Sequence, residues 1–168
     1  MKRKHTGMIA AGAAVALSAA IAVPTLTSAQ SPQARTITVQ EKVQNVAADD
    51  LPPRSKRGPT DRVSLGDRLI TRQSLFDTSR KRIGTLYTDC TGVGPTRSLF
   101  KGATLLCTVS YKLSDGQIVA AGAVELGDDR AEVPIVGGTG AYAGARGTVK
   151  MAKPAKGFDS ADVITITG

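Results

Sequence analysis

The sequence is a succession of short β-type segments separated by turn residues, and this succession constrains the fold more than any other feature. Turn signals recur about every 8–15 residues, and no convincing amphipathic helix follows Leu65. About eight strands of this kind predict an all-β barrel or sandwich, and eight antiparallel strands can close around side chains or one small ligand. The predicted strands are Thr36–Val46, Asp67–Phe76, Arg82–Val93, Ala103–Leu113, Gln117–Leu126, Val133–Val136, Arg146–Met151 and Asp162–Thr167.

Two acidic residues lie inside predicted strands, where a charge is out of pattern. Glu41 is in phase with the apolar residues Ile37 and Val39, and Asp89 lies within Arg82–Val93. An outward, solvated carboxylate is the ordinary interpretation. A carboxylate directed into a barrel would instead be desolvated, its pKa would rise, and it could serve as a general acid or base. Strand periodicity alone does not distinguish inside from outside here, because both faces carry apolar residues.

The first 29 residues have the pattern of an export signal. Lys2–Lys4 form a basic start, Met8–Val23 is apolar and rich in alanine, and Thr27-Ser28-Ala29 supplies small residues for cleavage. An uncleaved anchor is the alternative, although 16 residues diluted by glycine and alanine are few for a span of about 20. We predict a signal peptide over 1–29, a flexible leader over 30–35 and one secreted domain over 36–168, with no membrane span in the mature form.

The cysteine and histidine content limits the kinds of catalytic and metal site that the mature chain can form. The two cysteines, Cys90 and Cys107, fall on neighbouring predicted strands of the exported part, which favours a structural disulfide over free thiols. The only histidine, His5, belongs to the predicted signal peptide. A mature chain without histidine has no histidine-based catalytic triad and no histidine metal site, and two cysteines alone are too few for one.

The basic charge of the chain does not indicate nucleic-acid binding. Three basic residues and no acidic residue lie in 1–29, so removing this segment lowers the net charge from +8 to +5. The basic run Arg54–Arg57 falls in a loop containing proline and glycine, without aromatic residues to stack on bases. A solvated loop is the favoured interpretation, with an anionic surface contact as the alternative.

The glycine-rich stretch Val133–Val149 closely resembles the signature of plant dirigent proteins. A phosphate-binding loop needs a helix after its glycines. Here the predicted strand Arg146–Met151 follows them, so that interpretation is disfavoured. Leu75-Phe76-Asp77 resembles another dirigent segment, whereas Leu65-Gly66-Asp67 and Gly84–Cys90 resemble segments of allene oxide cyclases. The signature residues are Val133, Pro134, Ile135, Val136, Gly137, Gly138, Thr139, Gly140, Tyr142, Ala145, Arg146 and Gly147.

The resemblance covers roughly residues 36–168 and implies an exported bacterial member of the dirigent and allene oxide cyclase-like barrels. It implies an eight-stranded antiparallel β-barrel with an apolar lumen, a homotrimeric assembly, and no metal or organic cofactor. Dirigent proteins hold phenoxy radicals for stereoselective coupling, and allene oxide cyclases hold a fatty-acid epoxide for ring closure. In this alignment Glu41 is the counterpart of a strand-one acid, and Cys90 matches a cysteine that lines the cyclase pocket.

Two functions remain open from the sequence. The first is a secreted barrel that binds an apolar or phenolic small molecule and guides its cofactor-free coupling or cyclisation. Its candidate catalytic residues are Glu41, Asp89, Asp128 and Arg130. The second is a non-catalytic secreted binding or cell-surface protein whose barrel is filled with side chains. The volume of the lumen distinguishes the two.

Overall fold

A computed structural model of the chain describes residues 34–51, 62–94, 97–98, 102–125, 127–128 and 131–167, and within these ranges its regular structure is entirely β. No helix in the described part of the chain could span a bilayer. The predicted signal peptide and the basic run Arg54–Arg57 lie outside the described residues. The described strands are β1 (Arg35–Asp49), β2 (Arg62–Val63), β3 (Arg68–Phe76), β4 (Arg82–Gly92), β5 (Arg97–Ser98), β6 (Thr104–Leu113), β7 (Gly116–Glu125), β8 (Glu132–Gly140), β9 (Gly147–Ala152) and β10 (Ser160–Ile166).

Eight of these strands form one closed antiparallel barrel, which confirms the predicted fold. Around the barrel the order is β1, β10, β9, β8, β7, β6, β4 and β3, and β3 returns to pair with β1. The short strands β2 and β5 form a separate two-stranded sheet. Because the sheet is closed, no strand of the barrel is left as a sheet edge along its whole length.

The glycine-rich stretch differs from its prediction. The sequence places a turn from Gly137 onward, whereas β8 continues as strand through Gly140, and the turn occupies 141–146. Gly137 and Gly138 pair with Val119 and Ile118 of β7. Gly140 ends the strand because its φ of 61° lies in the left-handed region that favours glycine.

One half of the barrel interior is filled with side chains. We call this the lower half; it contains the last residues of β3, β6 and β8. Its side chains are almost fully withdrawn from solvent, and burial of each large one contributes about 1.5–3 kcal/mol. The largest of them are Val39, Leu75, Leu86, Tyr111, Ile118 and Ile164.

The opposite, upper half is organised by the buried side chain of Asp67. Its carboxylate accepts hydrogen bonds from the backbone N–H of Leu51 (2.8 Å) and from the backbone N–H and hydroxyl of Ser64 (2.7 and 2.9 Å). These bonds hold the segments on either side of the 52–61 connection against the start of β3. The Leu65-Gly66-Asp67 motif thus has a structural role at the end of the barrel where a cavity opens.

Candidate functional site

The upper half of the barrel contains a cavity of about 200 Å³. Its described lining comes mainly from the first residues of β3, β6 and β8 and the last residues of β4 and β9, and β1, β7 and β10 contribute further residues. Most of these side chains are apolar, so the cavity suits a largely apolar guest. The main apolar lining residues are Leu69, Leu86, Leu105, Val109, Val133 and Met151.

A network of polar side chains lies where the cavity meets the filled lower half. Strands β1 and β10 place Glu41 opposite Ser160 and Val39 opposite Asp162, so both carboxyl groups belong to one stretch of the wall. The hydroxyl of Ser160 donates a hydrogen bond to Oε2 of Glu41 (2.5 Å). From the opposite side, the hydroxyl of Tyr111 on β6 donates to Oδ2 of Asp162.

The carboxyl group of Glu41 is buried beside that of Asp162. Glu41 is 3% exposed and Asp162 is 9% exposed, and no donor group of the described protein reaches Oε1 of Glu41. Burial raises the pKa of Glu41 well above its usual value, and the negative charge and hydrogen-bonding interaction of Asp162 raise it further, while the Ser160 hydroxyl lowers it. A carboxyl group that is buried beside a second acid ionises less readily, so the fold favours the protonated form of Glu41.

The disulfide between Cys90 and Cys107 forms part of the cavity wall. The two cysteines lie directly opposite each other on β4 and β6, and their sulfur atoms are 2.04 Å apart. Both line the cavity and are buried. The predicted cross-strand disulfide is confirmed, and it presents sulfur, which is soft and apolar, where the resemblance to cyclases places a free cysteine.

The other predicted site residues are not brought together with Glu41. Asp89 lies on the outer face of β4 in an ion pair with Arg68, and both side chains are about half exposed. The pKa of Asp89 is lowered by its hydrogen bond with Arg68. Asp128 is half-buried in the connection between β7 and β8 and is not among the described residues that line the cavity. Arg130 lies outside the described residues.

Sequence reasoning missed Asp162 and the role of Tyr111. Asp162 lies in β10 in phase with Ile164 and Ile166, so it carried the same signal, an acid in an apolar phase, that identified Glu41. Tyr111 shares the apolar face of β6 with Cys107, which indicated burial, but its hydrogen bond to Asp162 joins residues 51 positions apart. Among the described residues, no cluster of three or more histidine, cysteine or acidic side chains is placed to hold a metal ion.

The sequence identifies the family to which this barrel belongs. Residues 36–161 match the family model described as the allene oxide cyclase barrel-like domain, so the chain is a member of that family. No curated protein sequence matches the chain significantly.

Solved structures of the same barrel are similar to this chain. A pyocyanin demethylase is 22% identical with a TM-score of 0.66, and the match covers 79% of this chain and all of that one. The pterocarpan synthase dirigent protein GePTS1 is 17% identical with a TM-score of 0.59, covering 86% and 94%. AbnU, an exo-specific intermolecular Diels-Alderase, is 14% identical with a TM-score of 0.56, covering 81% and 99%. At these identities the likeness establishes the fold alone.

Proposed function

We propose that this protein binds one small, mainly apolar or phenolic molecule in the barrel cavity and guides a cofactor-free ring closure or related rearrangement. The observation that carries the proposal is the buried carboxyl group of Glu41, which lies beside Asp162 at the inner end of an apolar cavity. A neutral carboxyl in such a site can donate a hydrogen bond or a proton to a reacting oxygen. The surrounding wall would hold the reactant in one reactive conformation, which by itself lowers the barrier to cyclisation.

The cavity volume favours a reaction within one molecule. A cavity of about 150 Å³ binds benzene in a well-studied case, so the 200 Å³ here accommodates about one small ring system. Two such reactants do not fit together. Intramolecular ring closure is therefore the favoured reaction, and coupling of two phenoxy radicals would require the second radical to meet the first at the opening.

Two solved structures of the same fold are named as an exo-specific intermolecular Diels-Alderase and a pterocarpan synthase dirigent protein. The first acts between two molecules, as its name states, so the preference for a reaction within one molecule rests on the cavity volume of this chain alone. A scaffold that is used for such reactions is compatible with catalysis by positioning. In the present chain, Glu41 would add a proton donor to that positioning.

The first test is binding of a neutral probe of suitable size. We expect 2-naphthol to bind with a stoichiometry of one per barrel in isothermal titration calorimetry at pH 7. The substitution Val133→Trp, which fills the cavity from its wall, should abolish binding, whereas Val136→Trp on the exposed face of β8 should not. Failure of 2-naphthol to bind the wild-type protein at millimolar concentration would contradict the proposal.

The second test addresses the proton donor. Citronellal is a neutral ten-carbon aldehyde whose acid-promoted ring closure to isopulegol conserves all atoms, so it needs no co-reactant. We expect the wild-type protein to accelerate this isomerisation and to shift the ratio of stereoisomers measured by chiral gas chromatography. Glu41→Gln should lower the rate at least tenfold, and the exposed Glu132→Gln should leave it unchanged.

A non-catalytic binding protein is the second candidate, and the filled lower half of the barrel favours it. Much of the interior is ordinary packed core, as a purely structural barrel requires. Binding of 2-naphthol with no rate difference between the wild-type protein and Glu41→Gln would select this alternative.

We also propose that the protein is exported, on the basis of the pattern in residues 1–29. The test is mass spectrometry of the protein recovered from the culture medium of its native host. The expected amino terminus is Gln30, and recovery of the intact chain from the cells alone would contradict export.

A further inference from the structure

The described lining of the cavity contains two acidic side chains, those of Glu41 and Asp162, at its inner end. Both are buried, and they lie close together on the adjacent strands β1 and β10. None of the described residues that line the cavity is a lysine, arginine or histidine. The other polar side chains of the described lining are neutral and supply no positive charge; they are Thr71, Gln73, Thr88, Tyr111 and Ser160.

Two other carboxylates of the chain are stabilised by several hydrogen bonds or by a basic side chain. Asp67 accepts three hydrogen bonds from Leu51 and Ser64, and Asp89 is paired with Arg68 at the surface. Asp162 receives a hydrogen bond from a neutral donor, the hydroxyl of Tyr111, and lies beside a second acid, Glu41. A buried charge without a cationic partner is costly, and proteins normally pair such charges.

We propose that the natural ligand supplies the missing positive charge, so that the cavity selects a small ring compound bearing a cationic nitrogen and rejects carboxylates of the same size. This inference rests on the proposed function and specifies its ligand class. The cationic group would lie beside Asp162 and Glu41, and the ring would contact the apolar side chains of Leu69, Leu105 and Val109.

The two carboxyl groups also favour one kind of reaction. A preorganised negative charge in an apolar cavity stabilises a reacting molecule in which positive charge develops, because little solvent is present to screen the interaction. Ring closures that pass through an iminium or a similar cation are therefore favoured. A fatty-acid substrate would bring a carboxylate, and the inner end of this cavity would repel it.

Three isosteric probes test the charge preference in the unmodified protein. They are N-methylquinolinium, a cation; 1-methylnaphthalene, its neutral counterpart; and 1-naphthoate, an anion. Isothermal titration calorimetry at pH 7 should show N-methylquinolinium binding at least tenfold more tightly than 1-methylnaphthalene. We expect no measurable binding of 1-naphthoate.

Matched substitutions test whether the preference for a cation arises inside the cavity. Asp162→Asn preserves the shape of the side chain and removes one of the two acids, so it should lower the cation-to-neutral affinity ratio, and the double variant Glu41→Gln with Asp162→Asn should reduce the ratio to about one. Asp89→Asn removes the same charge from the outer face and should leave the ratio unchanged. The wild-type ratio is measured without any substitution, so the test remains decisive even when Asp162→Asn does not fold.

The outcomes separate this inference from the proposed function. Equal affinity for the cation and its neutral counterpart, or tight binding of 1-naphthoate, would overturn the charge inference and leave the ligand cavity intact. A preference that persists in the folded double variant, Glu41→Gln with Asp162→Asn, would also overturn it. Failure of all three probes to bind would overturn both proposals.

Discussion

Glu41 shows how the fold changes the ionisation of a single residue. It is in phase with the apolar residues of β1, and closure of the barrel buries it beside Asp162. The pKa of Glu41 in the native protein is raised above its usual value near 4.5. Between pH 4.5 and this raised pKa, the native protein therefore binds more protons than the unfolded chain. The free energy of unfolding therefore falls as pH rises through this window, and the site reduces stability at neutral pH.

The first prediction concerns this pH dependence. Glu41→Gln cannot ionise, so the variant should lack the decline that we expect for the wild-type protein above about pH 4.5, at most about 1.4 kcal/mol per pH unit for one proton. The measurement is urea unfolding at pH 4.5, 6 and 8. Glu132→Gln is the control and should follow the wild-type curve. Parallel curves for the wild-type protein and Glu41→Gln would contradict the assignment.

At the level of single residues, the sequence predicted Glu41 as a site residue and did not identify Asp162 or the role of Tyr111. The phase of Glu41 indicated a carboxyl on an apolar face, and this was visible because neighbouring residues alternate. Asp89 carried a similar signal, but its phase belongs to the outer face, where Arg68 pairs with it. Which phase faces inward depends on how β4 pairs with β3 and β6, and this is a long-range property.

Among the elements, β8 and the turn at 141–146 close the lower end of the barrel. The turn folds back under the strand, and Tyr142 is buried with the guanidinium of Arg35 5.3 Å from the centre of its ring. A Cβ atom at Gly138 would lie 2.4 Å from the carbonyl oxygen of Tyr142 and 2.6 Å from that of Gln117. A Cβ atom at the adjacent Gly137 would meet nothing within 4 Å.

These two glycines give a matched prediction. Gly138→Ala should lower the free energy of unfolding by about 1–3 kcal/mol, because the atoms it would meet are backbone and cannot move independently. Gly137→Ala should change it by less than about 0.5 kcal/mol. The midpoint of urea unfolding measures both changes. Equal destabilisation by the two substitutions would show that close packing is not the reason for Gly138.

The elements were predicted well where side chains alternate and poorly where they do not. β3, β4, β6 and β7 differ from their predicted bounds by a residue or so, because each has apolar residues in one phase. The second half of β8 was missed since glycine has no side chain to show a pattern. The pairing of β2 with β5 was missed because strands of two residues are too short for any periodicity.

At the scale of the whole molecule, the barrel combines a filled half that stabilises the fold with an open half that can receive a ligand. Hydrogen bonds around the closed sheet hold both halves, and the disulfide adds one covalent link between β4 and β6 in the cavity wall. The two strands are already paired at Cys90 and Cys107. The disulfide should therefore act mainly on the unfolded chain, by restricting the segment between residues 17 positions apart.

The double substitution Cys90→Ala and Cys107→Ala tests this division of roles. In the chain-entropy model, a loop of about this length contributes roughly 3 kcal/mol, so we expect a loss of that order in urea unfolding. The far-ultraviolet circular dichroism spectrum should keep its β character, because the strand pairing does not depend on the bond. A reductant should destabilise the wild-type protein by a similar amount and leave the double variant unchanged. Loss of β structure in the variant would mean that the disulfide, and not the closed hydrogen-bonded sheet, holds the upper half together.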